Sequence, residues 1–482
     1  TALSHFFQKF EERFKTVEKL FTDLMYPSGV AVLNAFLNEN KAELEASLQA
    51  IVPNNVEVGL NDGTWIEKIA GDDSRFSLAQ EEVFSDYKSV TNLRKAAFEN
   101  GDDKTVMWAG ARAKTVAEED VLSFLSRKAV IPKYGFPVDV VELDTQRTQQ
   151  NQEAFEISLQ RDLSIAISEF APTSKLVANK KVWRSYGLKK VAEKEWPRKI
   201  YKRCPQHNVF LQWQQGESEP ATPCDDNLTP SKYIIPLFGF VTDREKPKAP
   251  TSRATRVFTT RPYFGGSLSS DPGTINMPLN TPLITMKKAS PGLMVVLCEG
   301  RLGEGFYICG GCGTGFKKPE KTHKTPLGQN CNGPLERVSL GHEFVTDVLQ
   351  LQFLPELTGE MNALWFAYSL SFGLVEGTSE VLEIPSTDLS ATVAHSKHYP
   401  VPPIILYDNV PGGAGLVARL EKEKVLRDCL EAALKRVNGN CGCSENTSCY
   451  GCLRSYRNQF AHQYLQRGPV KRYIKALLSK WT

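Results

Sequence analysis

The chain has 482 residues, 41% apolar and 23% charged, which is a globular composition and too much chain for one ordinary core. Its net charge of +3 hides an asymmetry: residues 1–160 carry 17 Lys and Arg against 26 Asp and Glu, and residues 161–482 carry 41 against 29. The longest apolar run, MNALWFAYSLSFGLVEG (361–377), is shorter than the roughly 20 residues a bilayer needs, and eleven closely clustered cysteines argue against a secreted disulfide scaffold. Taken from the N-terminus, FFQKFEERFKTVEKLFTDLM spaces its apolar residues at three and four, which predicts a helix ended by Pro27, Ser28 and Gly29. Helical patterning continues to about 125, and residues 1–120 read as a helical connector or scaffold. At FLSRKAVIPKYGFPVDVVELD (124–144) the texture changes, and strands and loops dominate 121–300. A zinc ribbon and a strand are expected over 301–355, where SLGHEFVTDVLQLQFL begins as a loop and ends as a half-buried strand. Residues 356–482 then predict a core helix over 358–376, a buried strand in PPIILYDNV, and a Gly-rich turn feeding a long helix. The fold class that follows is α+β and multidomain: an N-terminal helical region, a strand-rich middle with ribbon-like insertions, and a C-terminal mixed α/β domain.

Cysteine spacing carries the chemistry. CGCSENTSCYGC places Cys441, Cys443, Cys449 and Cys452 as C-x-C-x5-C-x2-C. Four soft thiolates around one ion is the arrangement zinc prefers, and Gly442 and Gly451 ease the turns it requires. A second set, Cys309, Cys312, His323 and Cys331, has the composition of a Cys3His site. A third and weaker set, Cys204, His207 and Cys224 with Asp225 and Asp226 beside them, reads either as a metal site completed by a carboxylate or water or as a metal-free degenerate ribbon. Cys298 and Cys429 read as core. One or two zinc ions are expected.

No P-loop, no G-x-G-x-x-G and no H-E-x-x-H occurs in the 482 residues. HSKHYPVPP starts like the H-x-K-x4-D of phospholipase D-type nucleases, but Pro402 stands where the Asp belongs. His342 and Asp347 read as anchors of a loop-to-strand junction. DNVPGGAGLVARL (408–420) reads either as a tight strand-to-helix turn or as a contact for a DNA phosphate. The last thirty residues hold seven basic and no acidic side chains. Arg454, Arg457, Arg467, Lys471 and Arg472, together with Arg253 and Arg256 upstream, are the candidate nucleic-acid contacts. Tyr456, Phe460 and Tyr464, four apart, predict a helical stripe more suited to core than to base stacking.

The run IILYDNVPGGAGLVARL, then a helix, then CGCSENTSCYGCLRSYRNQFAHQYLQRG, resembles the MrfA-type zinc-binding (MZB) domain that closes a class of large bacterial superfamily 2 DNA helicases. VIPKYGFPVDVVEL, LQRDLSIAISEFAP, YIIPLFGFVTD, RVFTTRPYF and LGHEFVTDVLQLQF are similar to the region between motor and zinc domain in those proteins. The resemblance extends over about 120–475 and favours the DruE-like helicases of Druantia phage defence over MrfA, a repair helicase, and over DISARM relatives. It implies DNA as partner and a cytoplasmic bacterial setting, with defence-system subunits as further partners and no membrane. It also implies an ATP- and Mg2+-dependent motor elsewhere, in cis or in trans, since the family's ATPase motifs map onto nothing here. The chain opens without Met, and a fragment of a longer protein is expected. A separate non-catalytic DISARM-type partner subunit and a metal-dependent nuclease are the alternative readings.

Overall fold

A computed structural model of the chain describes all residues except 1, 11, 23–27, 50–58, 61, 129, 132–138, 147–153, 155, 156, 205–208, 222–227, 252–256, 270–272, 357–360, 395–400 and 482. It divides into two compact units, Thr1–Val138 with Val191–Trp196, and Asp139–Lys190 with Pro197–Thr482.

The first unit is helical. Its helices include Ala2–Phe10, Gly29–Glu39, Arg75–Glu99, Asp103–Ala117 and Val121–Arg127. Side-chain caps start four of them: Ser28, Ser74, Asp102 and Asp120 accept from the backbone N–H groups of Ala31, Ser77, Thr105 and Ser123. The apolar residues at three and four meet in an aromatic core, with Phe6 against Phe10, Phe14 and Phe36, and Phe21 against Phe76 and Phe124.

The second unit holds three larger sheets and a small ribbon. Residues 140–144 lie in a five-stranded sheet, pairing antiparallel with Gln160–Asp162 and parallel with Phe240–Thr242. An eight-stranded sheet is organised around the long strand Leu335–Thr346, which pairs with Gly292–Cys298, Phe306–Cys309 and Ser231–Ile234. The third sheet runs Thr274–Met277, Ile284–Lys288, Val348–Phe353, Ile404–Asp408, Leu389–Val393, all antiparallel. Sheets therefore run across 300/301 and across 355/356, the boundaries expected from texture. SLGHEF, expected as a loop, is strand: its residues are buried, and their backbone groups pair with Gly292–Cys298.

The apolar run around 361–377 forms the helix Ala363–Leu382, buried on nearly every side. Asn362 caps it by accepting from Leu364 and Trp365 N–H. It packs on the helix Glu423–Val437, and the approach is close: a Cβ at Gly377 would lie 2.4 Å from the Cys429 carbonyl oxygen. Among the described residues no helix is long and apolar enough to cross a membrane.

Candidate metal centres

Two groups of four ligand-type residues converge among the described residues: Cys441, Cys443, Cys449 and Cys452, and Cys309, Cys312, His323 and Cys331. Within each group, one ligand atom per residue lies within 4.8 Å of the others.

The first centre sits where Glu423–Val437 ends. Sulfur separations are 3.5 Å for Cys441–Cys443, 3.8 Å for Cys443–Cys452 and 3.9 Å for Cys449–Cys452. A zinc tetrahedron with Zn–S of ~2.3 Å has edges of about 3.8 Å, whereas a disulfide needs ~2.05 Å. The donor set therefore fits zinc. Space around it is limited, since a Cβ at Gly451 would lie 3.0 Å from Cys441 Cβ and 3.4 Å from Cys449 Sγ. Gly442 has φ +76°, where glycine is favoured. The Cys449 N–H donates to Cys452 Sγ at 3.2 Å, closing the C-x2-C knuckle. Burial pushes the Cys452 thiol up to about 12, while a backbone N–H from Cys443 is the main cause that draws Cys441 down to about 7. A bound dication favours the thiolate at all four positions.

The second centre is mounted on the eight-stranded sheet. Cys309 ends Phe306–Cys309, Cys312 follows in a tight turn, and His323 and Cys331 face each other across a two-residue ribbon. Cys309 and Cys331 sulfurs are 3.9 Å apart, and Cys312 Sγ lies 3.3 Å from His323 Nε2. N–H groups of Cys312 and Gly333 donate to the sulfurs of Cys309 and Cys331. A Cβ at Gly333 would stand 2.8 Å from Cys309 Sγ. These residues also fit zinc.

Of the third set, Cys204 is buried at the end of Arg198–Cys204, packed with Val209; His207, Cys224, Asp225 and Asp226 lie outside the described residues. Arg253 and Arg256 lie outside them as well. Cys298 and Cys429 are core residues.

The basic residues near the first centre divide into two kinds. Arg467 is buried, not displayed: its guanidinium donates to the Cys443 carbonyl at 2.9 and 2.6 Å and to that of Val437 at 3.3 Å. Expected as a nucleic-acid contact from charge alone, it instead braces the cysteine loop from within, because that loop's carbonyls have no regular partner. Arg454 is half-buried and donates to Ser448 Oγ and the His462 carbonyl. Arg457 and Arg472 are exposed, the first donating to the Thr387 carbonyl and the second paired with Glu445, which Lys471 also approaches. Tyr456, Phe460 and Tyr464 lie in turns and a 3-10 turn (Gln459–Ala461), not on the helix expected there.

The Gly-rich turn after Ile404–Asp408 already holds an anion, and it belongs to the chain. The buried Asp408 carboxylate accepts from the N–H groups of Ala414, Leu416 and Val417, and Asp347 accepts from Gly415. That leaves the turn as a packing device, and the phosphate alternative is set aside. His342 contacts Asp139 at 3.3 Å, again an anchor. Spacing missed the acceptor role of Asp408, although an Asp just before a Gly-rich turn is a usable signal.

Residues 370–453 match the family described as the MrfA Zn-binding domain. This span holds most of the long core helix and all four cysteines of the first centre. The chain is 25% identical over 490 residues to Druantia protein DruE of Escherichia coli (strain UMEA 4076-1), a match covering 90% of this chain and 25% of DruE. Two solved structures are similar at a lower level. One is DUF1998 helicase MrfA bound to DNA, at 13% identity and TM-score 0.32, covering 71% of this chain and 34% of that one. The other is MrfA bound to DNA and AMPPNP, at 11% and 0.26, covering 70% and 31%. The chain thus spans about a quarter of DruE and about a third of MrfA. The chain is similar to DruE over most of its own length, and within it residues 370–453 match the MrfA Zn-binding domain.

Proposed function

We propose that the chain is the zinc-carrying, DNA-engaging part of an ATP-dependent DNA helicase or translocase acting in antiviral defence, with ATP and Mg2+ entering only through motor domains outside these residues. The observation that carries this reading is the four-sulfur centre of Cys441, Cys443, Cys449 and Cys452, set inside a segment that matches the MrfA Zn-binding domain and followed by a tail with no acidic side chain. Zinc pins the loop, the loop fixes the start of the basic segment, and Arg and Lys side chains on it meet backbone phosphates with little reading of base edges. The similarity to DruE over most of the chain supports defence as the setting. Repair, the setting expected from MrfA resemblance, is the lesser reading.

The test is DNA binding by the purified chain before and after zinc removal. Salt-dependent binding that falls when the first centre is emptied, with no ATP hydrolysis by the chain alone, is the expected result. Binding indifferent to both salt and metal would overturn the reading.

A further inference from the structure

Beside the first centre lies a cavity of about 290 Å3 with no role in the zinc site. Its walls are mixed: Phe372 and Val375 of the long helix, Leu453 immediately after the last zinc ligand, and Phe460 form an apolar side, and Glu376, Ser386, Ser390 and Ser455 add polar groups. At the mouth stand Tyr456 and Arg457, both exposed. The volume is at the bottom of the range for small-molecule pockets, roughly 300–1,000 Å3, which is too little for a dinucleotide or other large cofactor and enough for one planar heterocycle.

Phe460 is held in place for a stacking role. Its ring packs edge-on against Tyr368 at 5.4 Å and Phe372 at 6.3 Å, and the half-buried Arg261 guanidinium lies 5.5 Å from its centroid. Such a ring loses little freedom when a flat partner arrives. Three of the polar groups around it are already engaged. The Asn458 amide donates to the Leu453 carbonyl, Arg457 donates to the Thr387 carbonyl, and Glu376 faces Arg436 at 3.1 Å. Ser386, Ser390 and Ser455 also line it, but the ordered Phe460 ring is the feature that suits a π-face. The exposed Arg457 guanidinium at the entrance suits the phosphate that comes attached to a base; beside it Tyr456 Oη donates to the Glu169 carboxylate at 2.8 Å.

We infer that this cavity receives one unstacked nucleobase of single-stranded DNA, with Phe460 as its stacking wall and Arg457 at the adjoining phosphate. The inference rests on the proposed DNA-engaging role and gives that role a substrate form: single strand over duplex, without sequence preference.

Binding of the 482-residue chain to a labelled single-stranded oligonucleotide and to the duplex of the same sequence tests it by fluorescence anisotropy. Phe460→Ala lowers single-strand affinity about tenfold and leaves duplex affinity unchanged. Ser386→Trp, at an exposed position lining the cavity, does the same by filling it, and its thermal midpoint stays at the wild-type value, which separates occlusion from unfolding. Two results overturn the inference while leaving the DNA role standing: single-strand affinity unchanged in both variants, as for a cavity that seats a protein side chain, or equal losses on both DNA forms. A wild-type chain that binds neither form overturns both.

Discussion

Arg467 shows how far charge alone misleads at the scale of one residue. Seven basic side chains in the last thirty residues promise a polyanion face, yet this one lies inside, feeding the Cys443 and Val437 carbonyls. Replacing it with Met keeps most of the apolar stem and removes the donors. Two buried carbonyls then lose charge-assisted hydrogen bonds, and the domain should lose about 2 kcal/mol. Lys471→Met and Arg472→Met break only exposed pairs with Glu445 and should each change stability by less than about 0.5 kcal/mol. Urea midpoints of the three variants check this, and equal losses would remove the bracing role. The cysteines, by contrast, were legible because ligand spacing is a local property. Cys452→Ser should release one zinc and Cys331→Ser one other, each leaving its neighbour loaded, as counted by native mass spectrometry. Loss of both ions from either single variant would show one coupled site. Arg467 was not legible because its partners are carbonyls 24 and 30 residues away, brought within reach only by tertiary folding.

Among elements, those with strong periodicity or punctuation were readable and those decided by partners were not. The helix Ala363–Leu382 follows from an uninterrupted apolar run with Asn362 at its start. The strand through His342 has the texture of a loop because polar residues occupy a face that the second unit buries; His342 meets Asp139, and Glu343 pairs with Lys199 at 2.9 Å. Residues 456–464 carry helical spacing but fold as turns, since Asn458 donates to the Leu453 carbonyl and accepts from the Ser455 N–H, competing with the helical ladder. The turn after Ile404–Asp408 is held from below by Asp408. Burial is the main influence on this carboxyl and raises it, but three backbone N–H groups still converge on it. Asp408→Ala strands those donors in the interior and should cost about 3 kcal/mol, read as a fall in the thermal midpoint. A midpoint unchanged from wild type would show that the glycines alone hold the turn.

For the whole molecule the governing fact is that charge is divided along the chain, acidic before residue 160 and basic after it. Acid acts on His462 and on the zinc ligands in the same direction. Burial, the largest cause, holds His462 below its ordinary range, so the unfolded chain takes up the proton first; stability is present above about 6.5 and lost as pH falls through the folded value. Protonation of zinc ligands runs the same way. The second unit should therefore melt earlier as pH is lowered from 7 to 5, with zinc released in the same transition, and a melting point independent of pH would contradict it. DNA affinity tests the charge division itself. Reversing Arg454 would confound fold with binding, because that guanidinium holds Ser448 and the His462 carbonyl. Arg457 and Arg472 are exposed, so Arg457→Glu with Arg472→Glu should leave the fold intact while weakening binding to any sequence alike. Removing one cation from a backbone phosphate lowers the slope of log affinity against log salt by about 1, so the double variant should bind with a slope shallower by about 2. An unchanged slope with reduced affinity would mean that these two arginines act through the fold, and the basic face would have to be sought on Arg198–Cys204 and its neighbours instead.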